Sequence, residues 1–303
     1  MFRIYKPPFP WFGGKSRVAH LVWERFGDVP NYVEPFFGSG AVLFMRPHAP
    51  KTETVNDKDC FVSNVWRSIK NAPDEVAKWA DWPVSEADLL ARHKWLVAQS
   101  DFTERMKTDP DYFDTKIAGW WVWGICCWIG SGWCRNQSNK LPHLGDAGRG
   151  IHRQLPHLGD RGQEIKEYFN VLAQRLRRVR VCCGDWRRVM GKSVTIIHGI
   201  TGIFLDPPYS HDEREEVYSV DEDIAEEVKT WAIKNGNNPL LRIALCGYDN
   251  KHEMPNTWEK VKWKTNGGLS NLSDKSRAKE NKYRETIWFS PYCLDVKQTN
   301  LFE

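Results

Sequence analysis

The tetrapeptide Asp206-Pro207-Pro208-Tyr209 sets an acid, two prolines and an aromatic ring directly after the apolar run Ile203-Phe204-Leu205. Such a run reads as a buried parallel strand. Each proline fixes φ and removes an N–H, and Pro207 pushes Asp206 out of the helical region. The Asp206 carboxylate and the Pro207 carbonyl are then two acceptors beside the flat face of Tyr209. That set suits a planar heterocycle bearing an exocyclic amine, whose lone pair is delocalised into its ring. Accepting both amine hydrogens would localise the lone pair for attack on an electrophilic methyl group. Taken alone, the tetrapeptide reads about equally well as a proline-rich turn.

Three other stretches could face the same ligand. Gly13-Gly14-Lys15 is a loop where backbone can approach closely, or a plain turn. The strand candidate Tyr32-Val33-Glu34 runs through Pro35-Phe36-Phe37-Gly38-Ser39-Gly40 into a helical stretch from Ala41 to Met45. Strand, glycine turn and helix leave amides facing a cofactor. The third glycine of a dinucleotide fingerprint is absent. Glu34 would repel a phosphate and suits a cationic or zwitterionic ligand. A second strand, Thr52 to Val55, ends at Asn56-Asp57, 19 residues after Gly38. An acid there is placed to take ribose hydroxyls; the competing reading is an N-cap for a helix over 59–69. A third strand, Val179 to Cys183, leads to Asp185 and Trp186, an acid and a ring that could hold an adenine. Arg175, Arg177, Arg178 and Arg180 read as the exposed side of a helix end.

These sites need a sheet with its strand ends gathered at one edge. Helices expected over Val18–Arg25 and Asp221–Lys234 and a strand over Leu240–Cys246 continue the α/β alternation. Trp258–Lys264 and Glu285–Phe289 alternate and read as a closing hairpin, with a basic connector, 265–282, expected to be mobile without a partner. Between about residues 64 and 170 the chain changes character. Nine of its 16 tryptophans lie between Val65 and Cys134. Helices are expected over Asp74–Ala80 and Glu86–Gln99. The apolar stretch 118–129 reads as the core of an inserted helical lobe, with base stacking by its rings the lesser reading. Then comes a polar loop in which Leu-Pro-His-Leu-Gly-Asp occurs at 141–146 and again at 155–160. Arg135, Asn136, Asn139, Lys140, Arg149 and Arg153 in this region are side-chain types that contact phosphates and base edges, or else a solvated surface.

Bulk properties set the bounds. The 303 residues carry a net charge of +4, which permits nucleic-acid binding without demanding it. No run of eighteen apolar residues and no signal sequence is present, so a cytoplasmic protein with no membrane partner is expected, a monomer by default. The eight cysteines form no Cys-x-x-Cys. Reduced, mostly buried thiols and no metal site are expected.

Trp11-Phe12-Gly13-Gly14-Lys15, Glu34 to Gly40, Asn56-Asp57 and Asp206 to Tyr209, in that order, give the chain a pattern that resembles the Dam-type DNA adenine-N6 methyltransferases, which use S-adenosylmethionine. The resemblance implies a Rossmann-like methyltransferase sheet with helices on both faces, a C-terminal β-hairpin and an inserted, mostly helical target-recognition domain. Residues 1–63 and 175–303 would form the catalytic domain and 64–174 the insert. Trp11, Lys15, Glu34, Asp57 and Asp206 would contact S-adenosylmethionine, and Phe37, Gly38 and Gly40 would shape the turn under its methionine portion. Asp185 and Trp186 would hold its adenine end. Asp206, Pro207 and Tyr209 would grip an adenine flipped from double-stranded DNA. The insert matches no recognition domain of known sequence preference. Cytosine-N4 methylation is the runner-up, although serine is more usual there at the position of Asp206. A DNA-binding relic of the fold is the non-enzymatic alternative.

Overall fold

The computed structural model describes residues 5–11, 14–128, 133–134, 165–208, 224–249, 253–263 and 285–296. Tyr209, the six candidate DNA contacts from Arg135 to Arg153, the repeated hexapeptide and the 265–282 connector lie outside the described residues. A 3-10 turn at Lys15–Arg17 leads into α1 (Ala19–Phe26), β1 (Asn31–Glu34), α2 (Ala41–Phe44) and β2 (Thr52–Asp57). Five helices follow: α3 (Cys60–Asn71), α4 (Pro73–Ala80), α5 (Glu86–Val97), α6 (Phe102–Thr108) and α7 (Thr115–Cys127). Then come α8 (Ile165–Leu176), β3 (Val179–Cys183), a 3-10 turn at Trp186–Val189, α9 (Lys192–Thr195), β4 (Thr201–Leu205) and α10 (Ala225–Asn235). Strands β5 (Leu241–Tyr248), β6 (Glu259–Lys262) and β7 (Glu285–Phe289) complete the described elements.

The strands form one seven-stranded sheet in the order β3-β2-β1-β4-β5-β7-β6. Neighbours from β3 to β5 are parallel; β7 runs antiparallel to both β5 and β6. Side chains alternate across the pleat. Tyr32, Val55, Phe204, Ala244 and Ile287 face a core shared with α1, α3, α7 and α8. Val33, Ile203, Leu205, Ile243 and Trp288 face a smaller core closed by the 3-10 turn at Trp186, α9 and α10. The fold is therefore the expected Rossmann-like α/β sheet with helices on both faces. The strand order reverses between β1 and β4, and the crevice outside such a switch point is where ligands bind in open α/β sheets.

Much of the tryptophan-rich stretch is core, although Trp82 is exposed. Trp66 and Trp123 are fully buried, as nearly are Trp121 and Trp128, and they belong to the same hydrophobic cluster as the sheet residues. Helix α3 runs unbroken across residue 64, where the composition changes, and Asp59 caps it by accepting from Phe61 N at 2.8 Å. All eight cysteines are free thiols, six of them buried. No helix among the described residues is long and apolar enough to cross a membrane.

Arg175 is not on an exposed helix side, as the sequence reading had it. Its guanidinium forks onto Glu53 of β2 at 2.6 and 2.9 Å, while Arg46 reaches the same carboxylate at 3.1 Å. The Glu53 and Arg46 side chains are fully buried and Arg175 nearly so. A buried carboxylate between two cations offsets its own desolvation, but losing it leaves Arg175 without this partner and Arg46 with only the longer pair to Asp28 at 3.4 Å. Glu53→Ala is expected to destabilise the fold by about 3–5 kcal/mol in a denaturant titration; a change within ~0.5 kcal/mol would contradict this assignment.

Candidate active site

One face of the sheet carries a row of polar residues at the carboxyl ends of its strands. The parity that points Val55, Tyr32 and Phe204 into the larger core also points Asp57, Glu34 and Asp206 to that side, each two residues further on. Asp57, Glu34 and Asp206 accordingly line one cleft, together with Trp11, Lys15 and Gly38. The glycine turn, the first-loop lysine and the acid-proline corner thus meet at the switch point.

The turn after β1 is held from several sides. Phe37 N donates to Asn56 O at 2.9 Å, and Gly40 N donates to Phe37 O at 2.8 Å. Gly38 N donates to Asp57 Oδ2 at 2.8 Å, and the Trp66 indole donates to Gly38 O at the same distance. Gly38 and Gly40 have φ of 48° and 72°, a region that favours glycine. A Cβ on Gly38 would lie 2.3 Å from Trp11 Nε1. Helix α2 has only four residues, so the turn presents amides rather than a developed helix dipole.

Asp57 has two jobs beyond any ligand. Its Oδ2 receives Gly38 N, and its Oδ1 receives Asp59 N at 2.9 Å. The N-cap considered for Asp57 belongs to Asp59. Burial, reinforced by the negative charge of Asp59, pushes the Asp57 carboxyl up to about 7. Glu34 is buried and accepts from the Tyr32 hydroxyl at 2.7 Å. Burial raises its carboxyl well above the usual range, with the charges of Asp206 and Asp57 adding to the effect. A carboxyl whose folded pKa is raised favours the protonated fold, so its stabilisation is present at low pH and lost as pH rises through the folded value. The free protein is therefore expected to unfold at a higher temperature at pH 6 than at pH 8, and Asp57→Asn should flatten that difference. A melting temperature rising with pH across this window would overturn the assignment.

Lys15 is 4% exposed, and its ammonium lies 2.9 Å from Asp206 Oδ2. Burial disfavours its charge, but Asp206, with Glu285 behind it, outweighs that and holds the lysine protonated. For Asp206, burial lifts the carboxyl above its ordinary range, against the pull of the neighbouring Lys15 and of the Cys246 thiol. Trp263 adds a ring 5.8 Å from the ammonium. Pro207 is buried and Pro208 lines the cleft.

Asp185 and Trp186 stand apart from this cleft wall. Asp185 caps the following 3-10 turn by accepting from Arg187 N at 2.9 Å and pairs with the Arg187 side chain. Trp186 is buried in the smaller core, its ring 6.2 Å from Phe36. Phe36 is the aromatic that lines the cleft on this side, and sequence reading gave it no role. Its place in the Phe36-Phe37 pair before Gly38 was the available signal. Trp66 was also missed; only its long-range bond to Gly38 O reveals it. Among the described residues no three His, Cys, Asp or Glu side chains gather to hold a metal ion.

Comparison with known proteins agrees with this geometry. Residues 11–105 match the family model of the D12 class N6 adenine-specific DNA methyltransferases. The chain is also similar to the type II methyltransferase M.MjaIII of Methanocaldococcus jannaschii, 22% identical over 216 residues that cover 67% of this chain and 69% of that protein. The match takes in Trp11, Lys15, the glycine turn and Asp57, and the sheet brings Asp206 to the same cleft. Over these residues the chain is similar to the D12 class of N6 adenine-specific DNA methyltransferases, in line with the Dam-type resemblance of its motifs.

Proposed function

We propose that S-adenosylmethionine is the methyl donor and that the target adenine reaches the cleft by rotating out of duplex DNA. The observation that carries this reading is the shared cleft: Asp206 lines the same wall as Gly38 and Asp57. The residues fit the donor. Glu34, Asp57, Asp59 and Asp206 line the cleft with Lys15 and Lys58, and a cation bound there would draw the buried Glu34 and Asp57 toward their charged forms. The absence of a Cβ at Gly38 and Gly40 lets Trp11, Phe37 and Phe44 pack directly on the turn. When bound, S-adenosylmethionine supplies a methyl carbon on a sulfonium centre.

The chain's own residues do the rest. Phe37, Gly38 and Gly40 would form the turn under the methionine portion, with Trp11, packed against Gly38, beside it. Asp57, already bonded to two amides, presents its remaining lone pairs to the ribose hydroxyls. Phe36 would lie at the adenine end, its ring backed by Trp186 at 6.2 Å, with Asp185 holding the turn that carries Trp186. Asp206 and the Pro207 carbonyl accept the two hydrogens of adenine N6, and Tyr209 stacks on the base. Lys15 fixes the Asp206 carboxylate for that work, so orientation and electrostatics supply most of the catalysis. A base inside a duplex cannot reach such a corner, which is why the nucleotide must leave the stack. Arg135, Asn136, Asn139, Lys140, Arg149 and Arg153 hold the duplex by phosphate and base-edge contacts.

The test is nucleoside analysis of duplex DNA incubated with the protein and methyl-labelled S-adenosylmethionine. Label in N6-methyladenine is expected. Label in N4-methylcytosine, or none, would overturn the reading.

A further inference from the structure

The polar row at the strand ends continues past Asp206. In the parallel pairing of β4 with β5, Phe204 is opposite Ala244 and Leu205 is opposite Leu245. The next step along both strands sets Asp206 beside Cys246. Cys246 shares the larger-core face with Ala244 and is wholly buried. One strand further, Glu285 begins β7 opposite Tyr248, on the face of Ile287 and Phe289. Lys15 lies against Asp206 in the same place.

We infer that Cys246 is a positioning residue for Asp206: its thiol, fixed on β5, donates a hydrogen bond that holds the carboxylate at the angle the target amine requires. This rests on the function proposed above. The thiol has the right chemistry for a permanent donor. Burial raises it well above its ordinary range, and the charges of Asp206, Glu285 and Glu34 add to this against the pull of Lys15. It therefore stays an S–H and is neither a nucleophile nor a thiolate. Lys15 reaches Asp206 from the N-terminal loop at 2.9 Å, and one step past the Leu205–Leu245 pair the Cys246 thiol is placed to be the second donor, from the sheet. Two donors from different elements remove the torsional freedom that one would leave. Such preorganisation is what a site acting by orientation needs.

The charged and titratable groups facing Asp206 are Lys15, Cys246, Glu34 across β1, and Glu285 through Lys15. Removing the thiol takes away a donor that favours the charged carboxylate, so the Asp206 pKa must rise. Cys246→Ala is expected to lower kcat about 10-fold with the KM for DNA within about 2-fold, since the lost bond serves orientation. The acid limb of the kcat–pH profile should move to higher pH. Cys246→Ser, which keeps a donor, should recover most of both. Equal losses in the two variants, or a fall in melting temperature with an unmoved acid limb, would overturn the proposal. A second readout needs no methyl transfer: the ¹³C carboxyl resonance of Asp206, identified by its loss in Asp206→Asn, is titrated in the DNA-free protein. An upward displacement in Cys246→Ala that Cys246→Ser reverses supports the positioning role even if the wild type proves inactive, in which case only the functional reading fails. No displacement overturns the positioning role whatever the activity.

Discussion

Asp206→Asn is expected to reduce methyl transfer to adenine by about 10³-fold or more in kcat, because the interaction lost is one made with the charge developing at N6. The substitution is nearly isosteric, so the corner keeps its shape. It places an amide where a carboxylate accepted a hydrogen bond, and it removes the partner that Lys15 touches at 2.9 Å. Asp206→Ala should be equally inactive and less stable, because it leaves a lysine that is only 4% exposed with a weakened counter-charge. Glu285 still faces that lysine, which limits the loss and keeps the protein foldable. Single-turnover rates with prebound DNA separate the chemical step from binding. Retention of most of the wild-type rate in Asp206→Asn would refute the assigned role.

Gly38→Ala has the second-largest expected effect, and it acts on the donor rather than the target. The residue has φ of 48°, and the added methyl carbon would sit 2.3 Å from the Trp11 indole nitrogen. Holding a non-glycine residue in that conformation costs of order 1–3 kcal/mol, before the clash is counted. The turn can relieve both only by moving, and moving breaks the bonds from Gly38 N to Asp57 and from Trp66 to Gly38 O. Affinity for S-adenosylmethionine, read by calorimetry, is expected to fall about 100-fold, which is about 2.7 kcal/mol. Adding Trp11→Ala removes the clash but not the backbone strain, so the double variant should regain part of the affinity if Trp11 only crowds the turn, and none if Trp11 also contacts the donor. Wild-type affinity in Gly38→Ala would show that the donor does not use this turn.

Much of this arrangement was legible in the sequence because it is written locally. The apolar runs at Ile203–Leu205 and Val179–Cys183 became β4 and β3, and Glu34 and Asp206 follow their strands by chain continuity. Parallel order needs only strands alternating with helices, and the glycine turn announces its own backbone. What could not be read comes from pairs remote in the chain. Nothing near Glu53 in the sequence points to Arg175, 122 residues later, which closes on it in the fold. Asp57 and Asp59 are two residues apart, and which would cap α3 depended on Gly38 claiming the first. Cys246 and Glu285 carry no motif; they matter only because β5 and β7 lie beside β4 in the finished sheet.

The central claim is that the donor cradle and the acid-proline corner open into a single cleft, with the methyl carbon passing directly between them. Its most direct test is a crystal structure of the protein with duplex DNA and a non-reactive analogue of S-adenosylmethionine. The account predicts the analogue's transferable position within about 3–3.5 Å of adenine N6, with N6 donating to Asp206 and to the Pro207 carbonyl. An analogue bound at Gly38 and Asp57 while the adenine amine lies in a separate cleft, out of reach of Asp206, would contradict it.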